Sequence, residues 1–185
     1  MLLDEGKVGR DLEIARETAD MVVVLPHWGN EYVTEPSSYQ RQWAQFLCDN
    51  GADLIIGCHP HCLEPVEVIE GANGQRTLCY WSLGNFVSGQ SSTLKATGGM
   101  AKVTLAKQGD ECWIAGYELV PVVTHQASGT AFTTYPLSAY SDDLAAVNWS
   151  QSGTVGQIDD FCAEVLGEGY DRSAHVLRGG EVRSG

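Results

Sequence analysis

The chain is short of cations, of long apolar runs and of paired cysteines, and each shortage removes a class of function. Eleven Lys and Arg stand against 24 Asp and Glu, a formal net charge of −13. Nucleic-acid binders neutralise phosphates with basic side chains, so no nucleic acid is expected as a partner. Anionic membrane surfaces are disfavoured on the same grounds. No apolar stretch approaches the ~18 residues that cross a bilayer. The opening Met1-Leu2-Leu3-Asp4-Glu5 carries acids too early for a signal peptide. Direct membrane insertion by this chain is therefore not expected. The six cysteines (48, 58, 62, 79, 112 and 162) include no CxxC pair. An even count permits disulfides, but 185 residues at 43% hydrophobic content can bury a core without them. Cys48 and Cys79 fall inside apolar patterns and are expected as buried free thiols. Internal repeats and low-complexity segments are absent.

What is present is concentrated near the start. Met21-Val22-Val23-Val24-Leu25 runs into Pro26-His27-Trp28-Gly29, and Asp53-Leu54-Ile55-Ile56-Gly57 runs into Cys58-His59-Pro60-His61. Each apolar run predicts a short buried strand ending at histidine. Between them, residues 37–50 predict a helix. Ser37 and Gln40 offer a capping box, Tyr39, Trp43, Phe46 and Leu47 form an apolar stripe, and Asn50-Gly51 supplies the stop. Strand, helix and strand make a βαβ unit with parallel strands. Both strands then open on one sheet edge, where α/β sheets bind ligands. His27, His59 and His61 are expected to converge there, and converging imidazoles point first to a metal site.

A short helix over residues 11–20 feeds the first strand. Residues 65–69 and 77–83 read as a hairpin around Gly71-Ala72-Asn73-Gly74, followed by a Gly/Ser-rich loop to Gly99. Residues 100–106 and 112–123 read as another hairpin around Gly109-Asp110. Helices are expected over 142–148 and 154–166, then a frayed Gly-rich tail in which His175 has no assigned role.

His59-x-His61 on an extended segment puts two imidazoles on the same side, suited to one metal or to two neighbouring ones. The rival set Cys58, His59, His61 and Cys62 would pack four structural zinc ligands into five consecutive residues, where such sites draw on separated pairs. Glu31 is a candidate catalytic acid or ligand orienter, with a solvated loop glutamate as the plain alternative. Asn85 is a candidate substrate contact, with turn formation as its alternative. His125 and Trp28 are expected to be structural, and Glu67 to make an exposed ion pair.

The residues that carry this argument also carry a resemblance. Pro26 to Tyr32 (PHWGNEY), Pro36-Ser37, Gly51 to His61 (GADLIIGCHPH), Pro65-Val66-Glu67 and Ser82 to Val87 (SLGNFV) resemble CapA-type proteins of poly-γ-glutamate capsule synthesis. Gly98-Gly99-Met100-Ala101, Pro121 to His125 (PVVTH) and Tyr135-Pro136-Leu137 continue it in order, covering roughly residues 10–145.

The resemblance implies a calcineurin-like metallophosphoesterase relative: an α/β (α+β) sandwich of metallophosphatase-like four-layer α/β/β/α architecture. It gives the metal-ligand role to His27, His59 and His61, and implies two divalent ions (Mn, Zn or Fe) in a complete domain. The superfamily's Asp-x-His, Gly-Asp and Gly-Asn motifs do not occur in the 26 residues before His27. Gly84-Asn85 follows His61, so the asparagine-ligand role is not carried over to Asn85. Residues 1–145 therefore resemble the carboxyl-terminal part of such a domain, incomplete at its amino terminus, with 146–185 a helical tail of the same domain. The implied function is capsule biosynthesis through a metal-dependent, hydrolase-like site, with a non-enzymatic assembly or scaffold factor as the alternative. The implied partners are an anionic polymer or phosphoester substrate and capsule synthase subunits. The implied setting is extracytoplasmic or cell-surface.

Overall fold

The computed structural model describes residues 4–184. Helix α1 (Glu5–Thr18) starts where the Asp4 carboxylate accepts the Lys7 amide at 2.9 Å. It begins six residues before the expected helix because that cap precedes the apolar stripe. Strand β1 (Val23–Val24), helix α2 (Ser38–Asp49) and strand β2 (Leu54–Ile56) form the expected βαβ unit, with Val23 opposite Leu54 in parallel register. Both halves of the Ser37–Gln40 capping box are made, and Gly51 ends the turn at φ +86°.

Strands β3 (Val66–Glu70) and β4 (Arg76–Tyr80) are the first expected hairpin. β4 also pairs in parallel with β2, giving a mixed sheet of order β1-β2-β4-β3. α1 and α2 cover one face around Leu12, Trp43, Leu47, Ile55 and Cys79. Leu54, Leu78 and Tyr80 enter a second core shared with the other sheet.

The Gly/Ser-rich loop contains one helical turn, α3 (Thr93–Ala96), and ends at Ala96 rather than at Gly99. β5 (Thr97–Gln108) and β6 (Glu111–Ser128) make the long second hairpin. β7 (Ala131–Pro136) pairs with the far half of β6, whose near half takes a different partner. That partner corrects the expected tail. After α4 (Asp142–Ala146) and α5 (Val155–Leu166), residues expected to fray form β8 (Tyr170–Asp171) and β9 (Val176–Gly179), and β9 joins β6. Asp159 of α5 holds them: it accepts from the Tyr170 hydroxyl and from His175 Nδ1, both at 2.9 Å, and from Arg172 Nε at 2.6 Å. Val176, Leu177 and Val182 are buried as a result. The whole is an α/β sandwich: helices, a mixed sheet, an antiparallel sheet, and α5 against the second core.

Candidate metal centre

The β1–β2 ladder runs past the named strands into the site. Cys58 N–H donates to the Pro26 carbonyl (3.1 Å), Trp28 N–H donates to the Cys58 carbonyl (3.0 Å), and His27 faces Cys58 in a parallel bridge. Gly57 permits this closeness. A Cβ there would overlap the Trp81 carbonyl and press on the Trp28 indole nitrogen. Trp28 is 2% exposed and donates its indole N–H to Trp81 O at 3.0 Å, so it is a packing residue.

Beyond Gly57 the backbone is strained. His59 has φ +108° and His61 φ +58°, and facing them Tyr32 has φ +64°. Each such conformation in a non-glycine residue costs on the order of 1–3 kcal/mol. The Tyr32 N–H donates to the Pro60 carbonyl at 2.7 Å, which ties the 29–36 loop onto the His59–His61 segment.

That tie brings Glu31 in. The ligand atoms of Glu31, His59 and His61 all lie within 4.8 Å of one another. The His27 ring lies against His59, centroids 4.6 Å apart, and its Nδ1 is 3.5 Å from Cys58 Sγ. The three imidazoles do meet at one sheet edge. The third member of the close donor group, however, is the Glu31 carboxylate rather than His27. Two imidazoles and a carboxylate fit a divalent cation. Bonds of ~2.1 Å at tetrahedral angles set donors ~3.4 Å apart, so on taking up an ion the group would draw in by up to about 1.4 Å.

Asn85 sets the state of one imidazole of the donor group. Its amide nitrogen donates to the carbonyls of Lys95 (2.9 Å) and His61 (3.3 Å), groups that can only accept. Its oxygen therefore faces His61 Nδ1 at 2.9 Å and accepts a hydrogen bond from it. His61 is held as the Nδ1–H tautomer, with the Nε2 lone pair free to ligate. Asn85 is thus a positioning residue, a role that its place in a Gly-Asn turn did not reveal.

The rival cysteine set does not gather. Buried Cys62 donates to the Val33 carbonyl at 3.3 Å, and burial pushes its thiol up to about 12. Cys58 is exposed as a residue, yet partial desolvation of its sulfur raises that thiol too. All six cysteines are free. His125 is buried among Tyr135 and Tyr140, as a structural histidine would be. Glu67 pairs with Arg41 at 3.3 Å.

Residues 3–90, just under half of the chain, match the family described as bacterial capsule synthesis protein PGA_cap, and the chain resembles the CapA-type capsule synthesis proteins. It is 41% identical over 114 residues to the PGA biosynthesis protein CapA of Bacillus subtilis (strain 168), covering 62% of this chain and 28% of that protein. It is 34% identical over 116 residues to the capsule biosynthesis protein CapA of Bacillus anthracis, covering 63% and 26%. The chain thus spans about a quarter of the length of the curated relatives it matches.

Proposed function

We propose that this chain serves capsule-polymer biosynthesis through a metal-dependent, hydrolase-like site whose cation is held by Glu31, His59 and His61. The observation that carries this reading is the donor group itself, two imidazoles and a carboxylate within 4.8 Å at the carboxyl ends of parallel strands. The capsule setting is supported by the names of the matching family and relatives. A bound Mn, Zn or Fe ion would polarise a scissile group and lower the pKa of a bound water.

The chain's own residues do the positioning. Asn85 presents His61 Nε2, the 29–36 loop presents Glu31, and the strained turn at His59 aims its ring toward both. His27 lies one ring contact from His59, where it supports that ring or contacts substrate. The substrate is proposed to be an anionic polymer or a phosphoester, acting with capsule synthase subunits outside the cytoplasm. Among the described residues no helix is long and apolar enough to cross a membrane.

The test uses the full-length gene in the producing cell. Glu31→Gln with His59→Ala is expected to abolish polymer release while leaving protein abundance unchanged. Normal release would leave only a scaffold role.

A further inference from the structure

In a chain of net charge −13, basic side chains are scarce and most are committed. Of the eleven, eight have a carboxylate oxygen within 4.0 Å. The three without one among the described residues are Lys7 and Arg10, both on helix α1, and Lys95. Unlike Lys7 and Arg10, Lys95 lies beside the donor group. Its ammonium lies over the Tyr32 ring, 5.1 Å from the centroid, and Tyr32 is stacked on His61 at 6.0 Å. Its carbonyl accepts the Asn85 amide that orients His61.

Three features argue that the position has a use beyond packing. First, Glu31 lies in the same cluster of rings, yet no Lys95–Glu31 pair forms, which leaves the carboxylate to the donor group. Second, Tyr32 is held in a costly backbone conformation and its hydroxyl is fixed by Gln90 Nε2 at 3.2 Å. A ring so placed pre-orients the ammonium, since a cation–π contact adds direction at a modest ~0.5–1 kcal/mol. Third, the chain carries a net charge of −13, so an anionic group approaching this edge gains from a cation placed there.

Resting on the metal-site reading above, we propose that Lys95, seated on Tyr32, is the recognition group for an anionic substituent, carboxylate or phosphate, of the molecule bound at Glu31–His59–His61. Lys95 thus sets specificity for charge and leaves cation binding to the donor group.

The experiment is calorimetric titration of the Mn²⁺-loaded chain with glutarate, with inorganic phosphate and with neutral glutaramide. Lys95→Gln is expected to take up Mn²⁺ like the wild type but to bind one or both anions about tenfold more weakly, the usual scale for losing one charge-assisted contact. Lys95→Arg should restore most of that affinity. Arg10→Gln, which removes an unpaired cation elsewhere, should leave anion affinity unchanged. The arm that weakens more identifies the substituent as carboxylate or phosphate. Anion binding by Lys95→Gln equal to wild type, with normal Mn²⁺ uptake, overturns the proposal alone. A wild-type chain that takes up no Mn²⁺ overturns the metal-site reading and this proposal with it.

Discussion

The Asn85 side-chain oxygen stands 2.9 Å from Nδ1 of His61, and two backbone carbonyls facing the Asn85 amide nitrogen fix which way round that side chain lies. Which ring nitrogen of His61 keeps a free lone pair is therefore decided by a residue 24 positions later in the chain. Replacing Asn85 with Leu frees the ring to populate both tautomers. The expected result is a loss of about 10–100-fold in divalent-ion affinity. Nitrogen chemical shifts of the His61 ring should move from the Nδ1–H pattern toward a mixture. A variant that merely loosened the fold would lower the unfolding temperature without changing that pattern.

Glu64 gives a prediction about pH. Its side chain is completely buried, its Oε2 accepts from Gln40 Nε2 at 2.6 Å, and no donor among the described residues reaches Oε1. Burial pushes its carboxyl up from 4.5 to about 7, against the lowering effect of the Gln40 hydrogen bond. A raised folded-state value means full stability below the unfolded value. Between pH 4.5 and about 7 the unfolded chain ionises first, so stability falls as pH rises and the loss is complete above about 7. The contribution is up to about 3 kcal/mol. Denaturant unfolding at pH 5 and pH 8 should show the wild type losing more stability than Glu64→Gln. Equal losses would contradict the assignment.

Gly57 lies where three backbone segments converge. Its N–H donates to Tyr80 O at 2.8 Å and its carbonyl accepts from Leu83 N at 3.2 Å. Gly57→Ala forces a methyl into the Trp81 carbonyl and the Trp28 indole. Overpacking of this kind costs about 1–3 kcal/mol, more where backbone must move. Because Cys58 to His61 hang directly from this residue, metal affinity should fall along with the melting temperature. An alanine variant with wild-type melting would show that the sheet tolerates the shift.

The sequence exposed the parts of this site that follow from regular structure. Two apolar runs and the Ser37–Gln40 box were enough to set β1, α2 and β2, and so to bring His27, His59 and His61 to one edge. Glu31 was named as a candidate acid, but its place in the donor group depends on the positive φ of Tyr32 and on one bond to the Pro60 carbonyl. Bulky residues rarely adopt such a conformation, so no local pattern announces it. β8 and β9 were illegible for another reason. With two and four residues they carry no alternation, and their order comes from pairing with β6 and from Asp159. Lys95 is illegible in sequence because its distinction is a seat on the Tyr32 ring beside His61, which only the fold brings about.

Everything proposed for this edge depends on a cation shared by Glu31, His59 and His61. The most direct measurement is equilibrium binding of Mn²⁺ and Zn²⁺ to the purified wild-type chain and to His59→Ala, Glu31→Gln and Lys7→Gln. One tight divalent ion is expected on the wild type and on Lys7→Gln, with at least about tenfold weaker affinity in His59→Ala and in Glu31→Gln. A wild-type chain that binds no divalent ion, or binds one unaffected by His59→Ala, would contradict this expectation.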